Sequence, residues 1–165
     1  MQSIELLRVN LRQSRDRTLA RVEEMREACV VFPTSNGGCH TLWVLGHLAY
    51  IELLVVRTFM LGEPNPLAHW EEVFDGADVS GEIRQYPQFD EVLARCREVR
   101  ASTLALLESF SEADLDKASV RIPAGFEDTF GTYRLCVQYV ADHWYMHRGQ
   151  LADSRRSAGL ERMWV

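Results

Sequence analysis

The segment FGTYRLCVQYVADHWYMHRGQLADSRRSA, residues 130–158, carries the clearest structural signal in the chain. Its apolar residues recur at steps of three and four, which is the spacing of an amphipathic helix. Two histidines, His143 and His147, fall on the same row as the apolar residues and should therefore point inward. A stripe of this length needs other helices to cover it. The predicted inward positions are Tyr133, Cys136, Val137, Val140, His143, His147 and Leu151.

Three other segments, residues 4–32, 40–61 and 88–110, show the same helical periodicity. Pro33 ends the first, and Gly62 followed by two prolines ends the second. No convincing pair of strands accompanies them. Four amphipathic helices bury their stripes against one another, so we predict an all-α four-helix bundle in a single domain, residues 1–165. The inward positions predicted for the first helix are Ile4, Leu7, Leu11, Ser14, Thr18, Val22, Met25, Cys29 and Phe32.

A long connection, residues 63–87, separates the second and third helices. Connections of this length are uncommon inside compact domains and usually carry function or form a crossover. A crossover here would let the two helices run parallel. Within this connection, LAHWEEVF (67–74) favours a short helical turn. A different connection, before the fourth helix, contains SVRIP (119–123), which favours an extended piece.

Composition excludes several classes of function. With a net charge of −6, the chain has no electrostatic basis for nucleic acid or an anionic membrane as its main partner.

The most apolar segment, residues 41–61, reaches membrane-spanning length but contains His47, Glu52 and Arg57, which favours a buried helix. The N-terminus lacks the apolar run of a signal peptide. No CxxC pair occurs, which favours free thiols in a reducing cytoplasm, and the scattered cysteines are Cys29, Cys39, Cys96 and Cys136.

The spacing of His143 and His147 allows both rings to bind one metal ion. At i and i+4 their Cβ atoms lie about 5–6 Å apart on one helix face. The alternative is two rings that hydrogen-bond to neighbouring side chains or to water. His47, on the apolar stripe of the second helix, adds a third inward imidazole, and metal sites in bundles are built from facing helices. Three histidine ligands leave coordination positions open, which is the pattern of catalytic sites.

The remaining candidates are weaker. His40 lies about 10 Å along the helix axis from His47, too far to share an ion, although it could line the approach. His69 is interpreted as an exposed loop residue. Asp142 could orient a ligand histidine as a hydrogen-bond acceptor, and Glu52 is expected to pair with a neighbouring helix. The nearby aromatic residues are interpreted as core rather than as pocket lining: Tyr50, Tyr139 and Trp144.

These residues resemble the DinB/YfiT-like superfamily of metal-dependent proteins over essentially the whole chain. The resemblance rests on WVLGHLAYIE (43–52), HWYMHRGQL (143–151) and FSEADLD (110–116). It implies that His47, His143 and His147 bind a divalent metal ion. It also implies an up-down-down-up bundle with the long crossover between helices two and three, and it implies a homodimer.

Characterised members of that superfamily include thiol-dependent S-transferases and a maleylpyruvate isomerase that use low-molecular-weight thiols. The resemblance therefore predicts a thiol S-transferase acting on a small electrophile. A metal-dependent hydrolase and a non-catalytic, metal-binding dimer are the alternatives. No catalytic residue is assigned beyond the metal ligands. The family binds zinc, nickel or other metals, so we expect zinc or nickel, with iron or manganese next, although histidine-only ligation also suits copper.

Overall fold

The computed structural model describes residues 2–35, 37–76 and 78–163. In chain order, its α-helices are α1 (Ser3–Leu19), α2 (Thr41–Leu53), α3 (Glu71–Phe74), α4 (Phe89–Glu108), α5 (Glu127–Phe130) and α6 (Tyr133–Ser157). Short 3-10 helices cover Val22–Ala28, Ala68–Trp70, Ile83–Gln85 and Ala113–Asp116. Those ranges contain no strand, and the β-structure in them is one isolated bridge between Ala118 and Thr132. The predicted all-α fold is confirmed.

The four long helices pack in pairs around one hydrophobic core. Both α1 and α2 contact α4 and α6, so each long helix covers its apolar stripe with two others. The core follows the predicted stripes closely on α6, where Cys136, Val140 and Leu151 are buried together with the two histidines. The up-down-down-up order of the bundle stays a prediction.

The first helix is shorter than predicted. It ends at Leu19 rather than Phe32, because Arg21 adopts a left-handed backbone conformation with φ of 59°. The chain then continues as the 3-10 helix Val22–Ala28, which still turns Val22 and Met25 inward. The prediction for Phe32 was wrong, because its side chain is 40% exposed.

The second helix begins and ends close to its predicted bounds. His40 caps α2, since its Nδ1 accepts a hydrogen bond from the backbone N–H of Trp43 at 3.1 Å. After Leu53 the helix widens into a π-helix, Leu54–Met60. The span Thr41–Met60 is apolar and long enough to cross a membrane, but it is mostly buried inside the protein. That burial is typical of the core helix of a soluble protein.

The connections are tied to the helices by specific contacts. The predicted helical turn in LAHWEEVF is confirmed as the 3-10 turn Ala68–Trp70 followed by α3. The predicted extended piece pairs with the π-helix, because the backbone N–H groups of Val120 and Arg121 both donate to the carbonyl of Phe59. Val120 also donates to the carbonyl of Met60 at 3.3 Å, so the π-helix presents two carbonyls to the connection before α6.

Candidate metal centre

Three imidazole rings from two helices meet in the core. The Nε2 atom of His143 on α6 lies 3.2 Å from Nε2 of His47 on α2 and 3.1 Å from Nε2 of His147. His143 and His147 are 7% and 5% exposed, and His47 is partly buried. Ligand nitrogens on a tetrahedral ion with bonds of 2.0–2.1 Å lie about 3.3 Å apart. Two of the three separations are thus close to that value, and the ligand atoms of all three histidines lie within 4.8 Å of one another.

The orientation of His47 is set by the crossover connection. Its Nδ1–H donates to the carbonyl of Phe74, the last residue of α3, at 2.6 Å. The Phe74 ring packs against Gly46, where an added Cβ would lie 2.1 Å from the ring. Only glycine allows this close approach, so Gly46 lets α3 lie directly on α2 and bring its carbonyl to His47.

The orientation of His147 is set within its own helix. Its Nδ1–H donates to Oε1 of Gln150 at 2.6 Å, one helical turn further along α6. Such outer hydrogen bonds fix the tautomer of a ligand histidine and raise its basicity. Because Nδ1 carries the proton in both His47 and His147, the Nε2 atoms of these neutral rings present lone pairs to the centre of the cluster.

Hydrogen bonding within the protein cannot satisfy these lone pairs. Neutral His143 carries at most one hydrogen on Nε2, so it can donate to His47 or to His147 but not to both. At least one of the two lone pairs on Nε2 of His47 and His147 is therefore left without a donor in a buried site, which is unfavourable. A cation that accepts all three lone pairs removes the conflict. The donor set therefore fits a divalent metal ion of borderline softness.

Burial keeps the rings in the neutral form that binds metal. It lowers the pKa of His47, lowers that of His147 to about 4, and lowers that of His143 to about 2. For His143, repulsion from His147, His47 and the nearby Arg100 adds to the effect of burial. Burial thus favours the neutral imidazoles, which are the form that binds a metal ion.

Aromatic rings form the walls of the cluster. Trp43 stacks on His47 with centroids 4.3 Å apart and planes at 15°, and Tyr139 stacks on His143 at 5.5 Å and 14°. Trp43 is 6% exposed, whereas Tyr139 is only partly buried. Tyr139 is therefore the more exposed of the two stacking rings.

A buried ion pair lies beside the histidines. Arg100 on α4 and Glu52 on α2 are 0% and 1% exposed, and Nε of Arg100 lies 3.0 Å from each carboxylate oxygen. Nη2 is 2.9 Å from Oε2, a close ionic contact that is poorly aligned for a hydrogen bond. Nη1 donates to the carbonyl of Leu11 and to Ser14. The guanidinium lies 4.1 Å from the Trp144 ring centroid, next to His143.

The structure separates the other candidates clearly. Glu52 pairs with a neighbouring helix, as predicted. Asp142 does not orient a histidine, because it is exposed and accepts a hydrogen bond from Gln138. His40 does not line an approach, because it is fully buried, caps α2 and donates to the carbonyl of Ser80. His69 is exposed, as predicted. Tyr50 and Trp144 are core residues, as predicted.

Two residues that support the cluster were missed in the sequence. Gln150 follows His147 by three residues, a helical spacing that could have identified it. Phe74 contributes a backbone carbonyl, which every residue has, so no sequence signal marks it. The contact between Phe74 and α2 requires the two segments to approach closely. The sequence signals this approach only by Gly46, a glycine inside an otherwise apolar helix.

Comparison with known proteins identifies a family for this chain. A family model of the DinB superfamily matches residues 10–151, which include all three histidines and most of the chain. A search of curated proteins finds no match.

Proposed function

Because the chain belongs to the DinB superfamily, we propose that it binds one divalent metal ion through Nε2 of His47, His143 and His147 and acts as a metal-dependent enzyme. The observation that carries the proposal is the convergence of three imidazole nitrogens whose lone pairs cannot all be satisfied within the protein. No carboxylate or thiolate joins them among the described residues. Coordination positions therefore remain for a substrate or water.

The reaction we propose is the transfer of a small thiol to an electrophilic small molecule. When bound, the metal ion acts as a Lewis acid. It would lower the pKa of a coordinated thiol or water toward neutral pH. In the transfer, a sulfur–carbon bond forms, the thiol proton leaves to solvent, and the leaving group departs with the electron pair of its bond to carbon. The same chemistry with water in place of the thiol would make the protein a hydrolase.

The chain's own residues prepare the site for this chemistry. Phe74 and Gln150 hold the protons of His47 and His147 on Nδ1, and Trp43 restricts the plane of the His47 ring. Burial of the rings excludes water from the ligand side of the cluster and keeps the imidazoles neutral. Tyr139, the more exposed of the two stacking rings, would be the aromatic contact for a substrate. The preferred ions are zinc and nickel, since imidazole nitrogen suits both.

The metal content of protein purified without a nickel column tests the first step. We expect about one equivalent per chain by mass spectrometry, in line with one site per bundle. His47→Ala and His143→Ala should lose that metal, whereas His69→Ala should keep it, because His69 is exposed and is not one of the three clustered rings. Metal-free protein that cannot be reconstituted would refute the proposal.

The reaction itself is tested with a small thiol and an activated aryl chloride. Metal-loaded protein should form the thioether faster than the His47→Ala variant does. Equal rates would exclude thiol transfer to this class of electrophile and leave hydrolysis or metal binding without catalysis.

We also propose that the protein is a cytoplasmic homodimer with the up-down-down-up bundle order of its superfamily, and that its partners are small molecules rather than nucleic acid or membrane. The net charge of −6 argues against nucleic acid and anionic membrane, and the four free cysteines favour a reducing cytoplasm. The homodimer and the helix order follow from membership in the superfamily. Analytical ultracentrifugation at several concentrations checks the dimer, and a monomer throughout would refute it.

A further inference from the structure

A second cleft lies away from the histidines, where the crossover connection passes between the end of α2 and α4. Its volume is about 540 Å³, within the range of small-molecule sites. Its floor is apolar and is made by side chains from all three segments. These are Leu53, Leu67, Trp70 and Val99, each at most 7% exposed.

The rim of this cleft carries charges of both signs, and the two arginines are already paired. Arg57 contacts Glu63 at 3.1 Å and donates to Ser102 at 3.0 Å, and Arg95 contacts Glu98 at 2.8 Å. Glu91 lines the same rim and has no ion-pair partner among the described residues. The charge left unmatched at the rim is negative.

We propose that this cleft binds a small molecule with an apolar body and a protonated amine, the body on the Trp70 floor and the ammonium at Glu91. Burial of an aryl or alkyl chain supplies most of the binding free energy. The exposed carboxylate selects the sign of the charge more than it adds affinity, since exposed ion pairs contribute about 0.2–1 kcal/mol. An anion would meet arginines whose charge Glu63 and Glu98 already compensate.

The floor of the cleft is connected to the histidine cluster by direct contacts. The Trp70 ring lies 4.8 Å from the Phe74 ring, centroid to centroid. Phe74 in turn packs on Gly46 and accepts the hydrogen bond of His47. A ligand that packs on Trp70 therefore holds in place the segment that orients a proposed metal ligand. Occupancy of the cleft and metal binding should strengthen each other by the same factor, because coupling between two sites is reciprocal.

The binding step is tested on metal-stripped full-length protein, so it does not depend on the proposed function. The probes are phenylbutylamine and phenylbutyrate, which share one body and differ in the sign of their charge. NMR titration should show saturable binding of the amine, with the carboxylate weaker by about threefold to fivefold. Glu91→Gln should remove that preference, whereas Glu108→Gln, also on α4, should keep it.

A matched pair of surface variants tests the location. Ser102→Tyr places a ring in the cleft and should reduce amine binding at least about fivefold, as loss of an apolar contact of this size does. Ala105→Tyr places the same ring on an exposed part of α4 outside the cleft and should bind the amine like the parent protein. Absence of saturable binding, equal affinity for both probes, or equal behaviour of the two tyrosine variants would overturn the proposed site.

The connection to the metal is tested separately, on the metal-binding protein. A saturating amount of the amine should tighten cobalt binding by about threefold, and cobalt should tighten amine binding by the same factor. Trp70→Leu should abolish this coupling. If the amine binds and the cobalt affinity does not change, the connection to the histidine cluster is refuted. If no metal binds under any condition, the proposed function fails while the cleft result stands.

Discussion

The core holds two neighbouring polar clusters, the histidine cluster (His47, His143 and His147) and the ion pair of Arg100 with Glu52. In the ion pair, the opposite charges compensate each other, and Nε and Nη1 of Arg100 donate hydrogen bonds to acceptors within the protein. In the histidine cluster, like groups face each other and their lone pairs are not matched. Buried polar groups whose partners lie within the protein stabilise the fold. Buried polar groups that lack a partner indicate a ligand that supplies one. Four experiments test this distinction.

Breaking the ion pair should have the largest effect. Arg100→Met leaves Glu52 as an uncompensated buried charge, which typically costs about 3–5 kcal/mol of the free energy of unfolding. Replacing both residues, as Glu52→Leu with Arg100→Met, should recover most of that loss, since a hydrophobic pair of similar volume is often neutral. Urea denaturation measures both. A loss below about 1 kcal/mol in the single variant would show that the pair does not stabilise the fold.

The second largest effect should come from acid, which should lower the free energy of unfolding of the metal-stripped protein through its histidine cluster. The pKa of His147 is lowered to about 4 and that of His143 to about 2 by burial, while the unfolded chain titrates near about 6.5. Below neutral pH the unfolded state therefore binds more protons, so the free energy of unfolding falls as pH falls. Protonation of these two groups alone should lower the free energy of unfolding by roughly 3 kcal/mol between about pH 7.5 and about pH 5.5.

Chemical denaturation of the stripped protein across that range measures the slope. His147→Gln should flatten it by about one proton, whereas the exposed His69→Gln should not change it. A parent protein whose stability is constant from neutral to mildly acidic pH would contradict the assignment of neutral, buried rings.

Gly46→Ala should disturb the histidine cluster through the crossover connection. The new Cβ would clash with the Phe74 ring, so the ring and the carbonyl that holds His47 must move. Overpacking of this kind costs about 1–3 kcal/mol of stability, and metal affinity should fall as well. Gly149→Ala is the control, because no atom lies within 4 Å of its added Cβ, and alanine there should stabilise α6. Equal effects of the two substitutions would exclude a special role for Gly46.

Gln150→Ala should have the smallest effect. It removes the acceptor for Nδ1 of His147 without touching Nε2, and loss of such a partner weakens metal binding by about tenfold or more. Gln138→Ala, on the same helix but bonded to Asp142, should leave the metal affinity unchanged. Competition with a chromophoric chelator measures both constants, and an unchanged affinity for Gln150→Ala would show that Gln150 does not support the cluster.

Local periodicity was sufficient to predict the long helices and the inward faces on which the three histidines lie. The stripe of α6 placed His143 and His147 inward, and the stripe of α2 did the same for His47, because the face a residue occupies depends only on its spacing from its neighbours. The extent of the first helix could not be predicted in this way. Its inward spacing continues beyond Leu19, although Arg21 turns the backbone and ends the α-helix.

The sequence by itself determined the helical class of this protein, its inward stripes and which imidazoles lie on them. Only the tertiary structure decided that Phe74, distant in sequence, offers its carbonyl to His47, and that Arg100 reaches Glu52 rather than solvent. The physical reason is that a helix encodes which face is buried, whereas the atom that meets that face depends on where the rest of the chain returns. The match between the histidines and a cation exists only once α2, α6 and the crossover connection are packed together.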